Sequence, residues 1–280
     1  MTMRSVDLRL EPVEEILARA ESALQVQLDR ATLVRKRRSI GAVTTRGTWV
    51  RIERRPWAKV DGQGWNGTQS AASLHGIAKP QWYAGLTWRD SAEPAVWQVD
   101  ETALLPCQPI GTAVLAEAPQ LPDAWWKAFN ASLDALAGSR TTRVATPDTE
   151  TLTVGGITGA ISAAFGVAVE ADFGPWAPAH ADLNWANMTG PEFCLFDWED
   201  WGNAPRGLDA ASLWAASLAV PELAKKVREE RHEDLSGRDG KLMLLFALSK
   251  FAGPGAHPDD PRVAPGREEA ARLLRQLDGV

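Results

Sequence analysis

Apolar positions Val13, Ile16, Leu17, Ala20, Leu24 and Leu28 recur at helical spacing between Pro12 and Arg30. That spacing predicts an amphipathic helix with Pro12 in its first turn. Next comes Leu33–Gly41, where apolar residues bracket the basic run Arg35-Lys36-Arg37-Arg38. A charged strand of a two-sided sheet is expected here. A nucleic-acid or nuclear-targeting segment is disfavoured, because no aromatic residues interleave the cations. Thr44–Gly47 reads as a turn, and Thr48–Arg54 alternates as a strand should. A helix is expected over Asn66–Ala78, with Ala71, Ala72, Leu74 and Ile77 on one side. Strands follow at Gln81–Thr87 and Ala95–Val99. Leu104–Pro109 must be extended, since its prolines exclude helix.

Beyond Gly111 the pattern turns mostly helical. Asp123–Ala137 predicts a helix capped by Asp123 after Pro122 and stopped by Gly138, followed by a polar loop to Asp148. Gly155–Phe165 is small and apolar throughout, which predicts a buried, closely packed helix. Further helices are expected over Ala210–Val220, Pro221–Glu230, Asp239–Phe251 and Glu268–Leu277, with a Gly/Pro-rich loop from Gly253 to Pro265. No internal repeat or heptad seam interrupts this order.

Composition changes the picture little. At 280 residues, with 45% hydrophobic and 24% charged residues, the chain has the balance of a globular protein with a sizeable core. No apolar run approaches the ~20 residues of a membrane span. The start lacks a signal-peptide pattern, and Cys107 and Cys194 make no disulfide framework, so a reducing cytoplasm is expected. The net charge of -6 is unevenly spread: residues 1–60 carry 13 basic against 7 acidic side chains, so the remainder is strongly acidic. An acidic larger part argues against nucleic acid as a partner and would favour a cationic small molecule.

The candidate chemistry lies in His180–Asp209. His180, Asp182 and Asn187 occupy an irregular stretch after Pro175 and Pro178. Gly190 and Pro191 supply a turn, and Phe193-Cys194-Leu195-Phe196 reads as a buried strand that delivers Asp197 at its end. Phosphoryl transfer from Mg-ATP needs one carboxylate to take the acceptor's proton. It also needs an amide and a second carboxylate to hold the metal. The plain alternatives are ordinary turn residues at Asp182 and Asn187 and a solvated acidic turn, the preferred reading for Asp200. A zinc site is disfavoured because no second histidine lies nearby. Trp185, Trp198 and Trp201 are expected to pack in the core rather than cage a cation.

The ordered set H-x-D-x-x-x-x-N, a strand ending in Asp, and the continuation D-W-E-D-W-G-x-A-P-x-G-x-D resembles the aminoglycoside phosphotransferase and choline-kinase-like branch of the protein-kinase-like enzymes. The match is close over about thirty residues. It implies an α+β, two-lobed fold: a small antiparallel β-rich N-terminal lobe over residues 1–108 and a larger, mostly helical lobe over 109–280. It also implies Asp182 as catalytic base, Asn187 and Asp197 as Mg²⁺ ligands, His180 as a buried brace, and Asp209 as the acid that holds the catalytic loop. ATP and Mg²⁺ are the implied cofactors and a small-molecule hydroxyl the acceptor.

Two features depart from the family pattern. The third strand offers Arg51 or Arg54 where a phosphate-binding lysine is expected, and residues 63–78 contain no acid to pair with it. No glycine-rich phosphate loop is present, and Ser39-Ile40-Gly41 is the nearest substitute. Arg51 is assigned to the nucleotide phosphates, against the plainer reading of a solvent-facing strand charge. These departures motivate an alternative function, a catalytically degenerate kinase-like module that senses nucleotide or binds a protein.

Overall fold

The alternation from Thr48 onward forms a strand at the centre of a five-stranded antiparallel sheet. The structure, a computed structural model, describes residues 6–57, 60 and 63–278. Its chain divides into two units: Met1–Ser73 with Pro80–Leu105, and Leu74–Lys79 with Pro106–Val280. In the first unit β1 (Val34–Arg35), β2 (Ser39–Val43), β3 (Thr48–Pro56), β4 (Trp82–Arg89) and β5 (Ala95–Ala103) lie in the order β1-β2-β3-β5-β4. Ile40, Ala42, Val50, Ile52 and Val99 pack with Leu17 and Ala20 of α1 (Glu14–Leu24) into one apolar core. The two-residue period of the strand sends Arg51, Glu53 and Arg55 to the opposite face.

Three elements of this unit depart from the sequence expectation. The helix expected over residues 12–30 ends at Leu24, where Gln25 takes a left-handed φ of 55°. From there Gln25-Val26-Gln27-Leu28 alternates exposed and buried positions, as an extended chain does. Glu21 stabilises the exit by accepting the Leu28 N–H at 2.7 Å and Arg30 Nη1 at 2.9 Å. The basic run is not a continuous strand: Lys36, Arg37 and Arg38 form the exposed turn between β1 and β2, which keeps their charges in water. The helix expected over 66–78 shrinks to α2 (Gly67–Ser70) between two 3₁₀ turns. Ser70 and Ser73 hydroxyls donate back to the carbonyls of Gly67 and Ser70, and Gly76 turns the chain at φ 75°. Such local bonds compete with a regular helix.

The second unit holds α3 (Asp123–Ala137), α4 (Val154–Phe165), α5 (Leu208–Ala216), α6 (Pro221–Glu230), α7 (His232–Ser236), α8 (Arg238–Ala252) and α9 (Val263–Asp278). Buried from Leu242 to Leu248, α8 is the hub and packs against α4, α5 and α9. α9 starts earlier than expected because Pro265 sits in its first turn, where a missing N–H costs nothing. α4 is not the buried helix its composition suggested. Only Ile157 and Ile161 are fully covered, because its glycines and alanines offer little else to bury. Among the described residues, no helix is long and apolar enough to cross a membrane.

A two-stranded ribbon positions the candidate site. In it β6 (Ala177–Ala179) pairs antiparallel with β7 (Gly202–Ala204), closing residues 180–201 into one excursion. Residues 143–146 run alongside: the Ala145 N–H donates to Asn203 O and the Asn203 N–H to Arg143 O. The approach is so close that a Cβ on Gly202 would lie 2.4 Å from the Val144 carbonyl carbon. Gly202→Ala is therefore expected to destabilise the protein by about 1–3 kcal/mol. Gly159→Ala, on the open face of α4 with nothing within 4 Å, should instead stabilise it by about 0.5–1 kcal/mol. Urea unfolding midpoints of the two variants check both signs.

Candidate active site

Asp209 enters from the first turn of α5 and its carboxylate is buried. Its Oδ2 accepts the His180 N–H at 2.7 Å and its Oδ1 accepts the Ala181 N–H at 2.9 Å. Burial pushes its pKa up; His180 and the two N–H groups oppose that shift. With both amides held, Ala181 keeps a left-handed φ of 67° and the chain turns Asp182 out to solvent. The His180 ring is fully buried, donates from Nε2 to Phe196 O at 3.0 Å, and meets Trp198 edge-on at 4.8 Å. Burial lowers its pKa and so favours the neutral ring.

Two asparagines frame the Asp182 carboxylate. Asn187 Nδ2 donates to Asp182 Oδ2 at 2.8 Å and to its backbone oxygen at 2.9 Å. Asn184 Nδ2 donates to Oδ1 at 3.0 Å, and Asn184 Oδ1 accepts the Ala186 N–H at 2.9 Å. That last bond caps the 3₁₀ turn Trp185–Asn187. Although Asp182 reaches solvent, the surrounding protein raises its pKa, and the charge of Asp197 adds to the shift.

Asp197 arrives on a shorter element than expected. Phe193–Phe196 is not a regular strand; it makes a brief antiparallel pairing around the Gly190–Pro191 turn. The Phe196 N–H donates to Asn187 O at 3.0 Å and the Thr189 N–H to Cys194 O at 3.1 Å. Asp197 follows at φ 69° and is exposed. The pairing thus brings the backbones that carry Asn187 and Asp197 together.

Trp185, Trp198 and Trp201 are all buried, so they pack the core rather than line a cage. Trp185 donates to Ser217 Oγ at 2.9 Å and stacks near Trp125, while Trp198 donates to Leu195 O at 2.9 Å. Asp200 is not a solvated turn residue. It is half-buried, accepts from Thr146 Oγ1 at 2.9 Å, and has its pKa pushed up to about 6, chiefly by burial and then by the charges of Glu199, Asp182 and Asp197.

No protein-family model matches the sequence, and no curated protein matches it. Solved structures do match over nearly the whole chain. A thermostable mutant of aminoglycoside phosphotransferase APH(4)-Ia, in a ternary complex with ADP and hygromycin B, aligns over 93% of this chain and 98% of its own, at a TM-score of 0.58 and 10% identity. Aminoglycoside 2'-phosphotransferase-IIIa in a GDP complex aligns over 95% and 99%, at 0.55 and 12%. Amicoumacin kinase hAmiN, in complex with AMP-PNP, Ca²⁺ and Ami, aligns over 94% of each chain at 0.54 and 11%. The chain has the aminoglycoside phosphotransferase fold.

In the first unit of this phosphotransferase fold, Arg51 is half-buried on β3, and its Nη2 lies 3.3 Å from Glu53 Oε2. Arg55 Nε lies 2.7 Å from Glu53 Oε1. Glu53, two residues along the same strand, is thus shared between Arg51 and Arg55. Alternation could have revealed it, since positions 51, 53 and 55 share a face. Arg54 faces the other way and pairs with Asp90 at 3.0 Å and Glu93 at 2.7 Å. Ser39-Ile40-Gly41 is strand β2, not a phosphate loop, and the space beside Gly41 is filled by the Trp49 ring.

Sequence reasoning missed three supporting residues in the second unit. Asn184 carries a detectable signal, since Asn before a short turn is a common cap. Thr146 and Arg143 carry none. Arg143 donates to the carbonyls of Trp201 and Glu199 at 3.0 and 3.3 Å, across more than fifty residues of sequence.

Asp209→Ala strands two buried N–H groups and should cost about 2–4 kcal/mol, with Asp209→Asn costing less; urea unfolding resolves the order. Asp200 has a folded-state pKa of about 6 against an ordinary 3.8, so the folded state holds its proton more tightly. Its contribution to stability is greatest below about pH 4 and is lost as pH rises through 6. Asp200→Asn should then be more stable than the wild type at pH 7.5, by about 1–2 kcal/mol after allowance for solvent screening. The difference should shrink towards pH 4 in parallel thermal melts.

Proposed function

We propose that the protein is a small-molecule kinase that transfers the terminal phosphoryl group of ATP to an acceptor hydroxyl. The observation that carries this reading is the Asp182 carboxylate held at 2.8 Å by Asn187, on a loop whose backbone pairs with the segment ending in Asp197. Asp182 accepts the hydroxyl proton as that oxygen attacks the γ-phosphorus. The bond to the β–γ bridging oxygen breaks, and ADP leaves with the electron pair. The raised pKa of Asp182 favours this proton transfer. His180 and Asp209 would keep the loop in register without touching the reactants.

The donor chemistry near Asp182 fits Mg²⁺. Asn187 spends its amide nitrogen on Asp182, which leaves its amide oxygen for a hard cation, and Asp197 adds a solvent-facing carboxylate. Among the described residues, no group of three or more His, Cys, Asp or Glu could hold a metal. Mg²⁺ needs no such cage, because phosphate and water oxygens complete its shell. Bound there by Asn187 and Asp197, it would neutralise charge on the phosphates. Arg51 remains the candidate phosphate contact of the first unit.

The nucleotide complexes of the structural neighbours support the reading. A second reading, a non-catalytic nucleotide sensor, rests on the arginine that replaces the phosphate-binding lysine. Thermal-shift titration with ATP, with and without Mg²⁺, separates them from a chain that binds no nucleotide. The wild type should show a Mg²⁺-dependent rise that Asp197→Asn loses. Once an acceptor is found, Asp182→Asn should keep that rise and lose about 10²–10⁴-fold in kcat. Full turnover by Asp182→Asn would falsify the base assignment, and nucleotide binding without turnover on a broad acceptor panel would favour the sensor.

A further inference from the structure

Asp182 is gripped by two side-chain amides, and each takes hold of it twice. Asn187 Nδ2 donates to the Asp182 carbonyl oxygen at 2.9 Å and to Asp182 Oδ2 at 2.8 Å. Asn184 Nδ2 donates to the same carbonyl oxygen at 3.2 Å and to Asp182 Oδ1 at 3.0 Å. One amide therefore sits on each carboxylate oxygen, and together they set the plane of the group. Each oxygen of an ionised carboxylate accepts at two sites, so a site on each remains for a reactant.

The two amides differ in what their oxygens do. The Asn187 oxygen is the proposed metal ligand, whereas Asn184 Oδ1 accepts the Ala186 N–H at 2.9 Å and caps the turn Trp185–Asn187. Both N–H donors of Asn184 end on Asp182, so it has none to offer a reactant. Capping alone does not require an asparagine, because Ser, Thr and Asp also serve. A hydroxyl has one donor for two acceptors, and an aspartate would set a second negative charge against Asp182. Among these caps, asparagine alone brings two N–H donors.

We infer that Asn184 is a positioning residue for phosphoryl transfer, holding the Asp182 carboxylate so that Oδ1 takes the acceptor's proton. The inference rests on the kinase reading and adds to it the residue that orients its base. Asn187 ties Oδ2 to the proposed metal ligand, which leaves Oδ1 as the oxygen on the other arm of the carboxylate. The acceptor's proton passes to Oδ1 as its oxygen bonds to the γ-phosphorus; the β–γ bridging bond breaks and its electron pair leaves with ADP. Held at Oδ2 alone, the exposed Asp182 carboxylate would pivot about its Cβ–Cγ bond. A displacement of about 1 Å at such a group costs on the order of 10²-fold in rate.

The test is steady-state turnover of Mg²⁺-ATP by the full chain, with water as the acceptor and then with a panel of small alcohols. Asn184→Ser keeps a capping oxygen and removes the amide. Its kcat should fall about 10–10²-fold, with KM for Mg²⁺-ATP within about twofold of wild type. Asn184→Asp, a second variant that keeps the cap, has no donor and should lose at least as much. Asn184→Ala also loses the cap of the turn that bears Asn187, so its KM should rise as well; melts of all three check that they fold. Wild-type kcat in Asn184→Ser would overturn the inference. So would a KM that rises as far as in Asn184→Ala while kcat holds, which would leave Asn184 a cap. A wild type that turns over no ATP with water or any acceptor would overturn the kinase reading and this inference with it. Turnover that both cap-keeping variants preserve overturns this inference alone.

Discussion

A single buried carboxylate holds the candidate site in shape. Asp209 accepts the consecutive N–H groups of His180 and Ala181, one on each carboxylate oxygen. A buried anion is expensive, but two short bonds from backbone dipoles, at the first turn of a helix, offset much of that cost. The arrangement also supports an unfavourable backbone: Ala181 holds a left-handed φ of 67° while its own N–H and that of His180 are tied down. Asp182 faces solvent as a consequence of that turn.

Outward from Asp209 the restraints pass through the backbone more than through side chains. His180 reaches the Phe196 carbonyl, the Phe196 N–H reaches Asn187, and the Asn187 amide returns to Asp182. Asp200 feels the charges of Asp182 and Asp197, and Asp182 feels that of Asp197; burial and these charges push the Asp200 carboxyl up to about 6. The proposed Mg²⁺ would relieve this crowding of carboxylates. The stiff frame beneath it is aromatic: Trp125, Trp126, Phe129 and Trp185 interlock below the loop, with Trp125 donating to Thr189 O at 2.7 Å.

Much of this was legible in the sequence where local chemistry decides. Pro122 and Gly138 bracket Asp123–Ala137 and Pro221 opens Pro221–Glu230, although Asp123 is the first helical residue and not the cap it was expected to be; β3 follows from strict alternation, because the favourable conformation there is the one that buries the apolar side. The candidate site residues stood out because they fall within one stretch of thirty residues, His180–Asp209, that the β6–β7 ribbon closes. Short apolar runs misled: Phe193–Phe196 lacks a regular partner strand, and α4 is apolar without being buried.

The amino-acid sequence by itself determined the two-part α+β order, the amphipathic faces and the spacing of His180, Asp182, Asn187 and Asp197, all consequences of covalent geometry and side-chain period. Tertiary structure alone decided which charges would be desolvated and which would be answered. Asp200 became half-buried on Thr146, Arg51 found Glu53, and Lys250 found Asp148 across a hundred residues of chain. Those outcomes depend on solvent exclusion and on distances between segments remote in sequence, and neither quantity exists until the chain has folded.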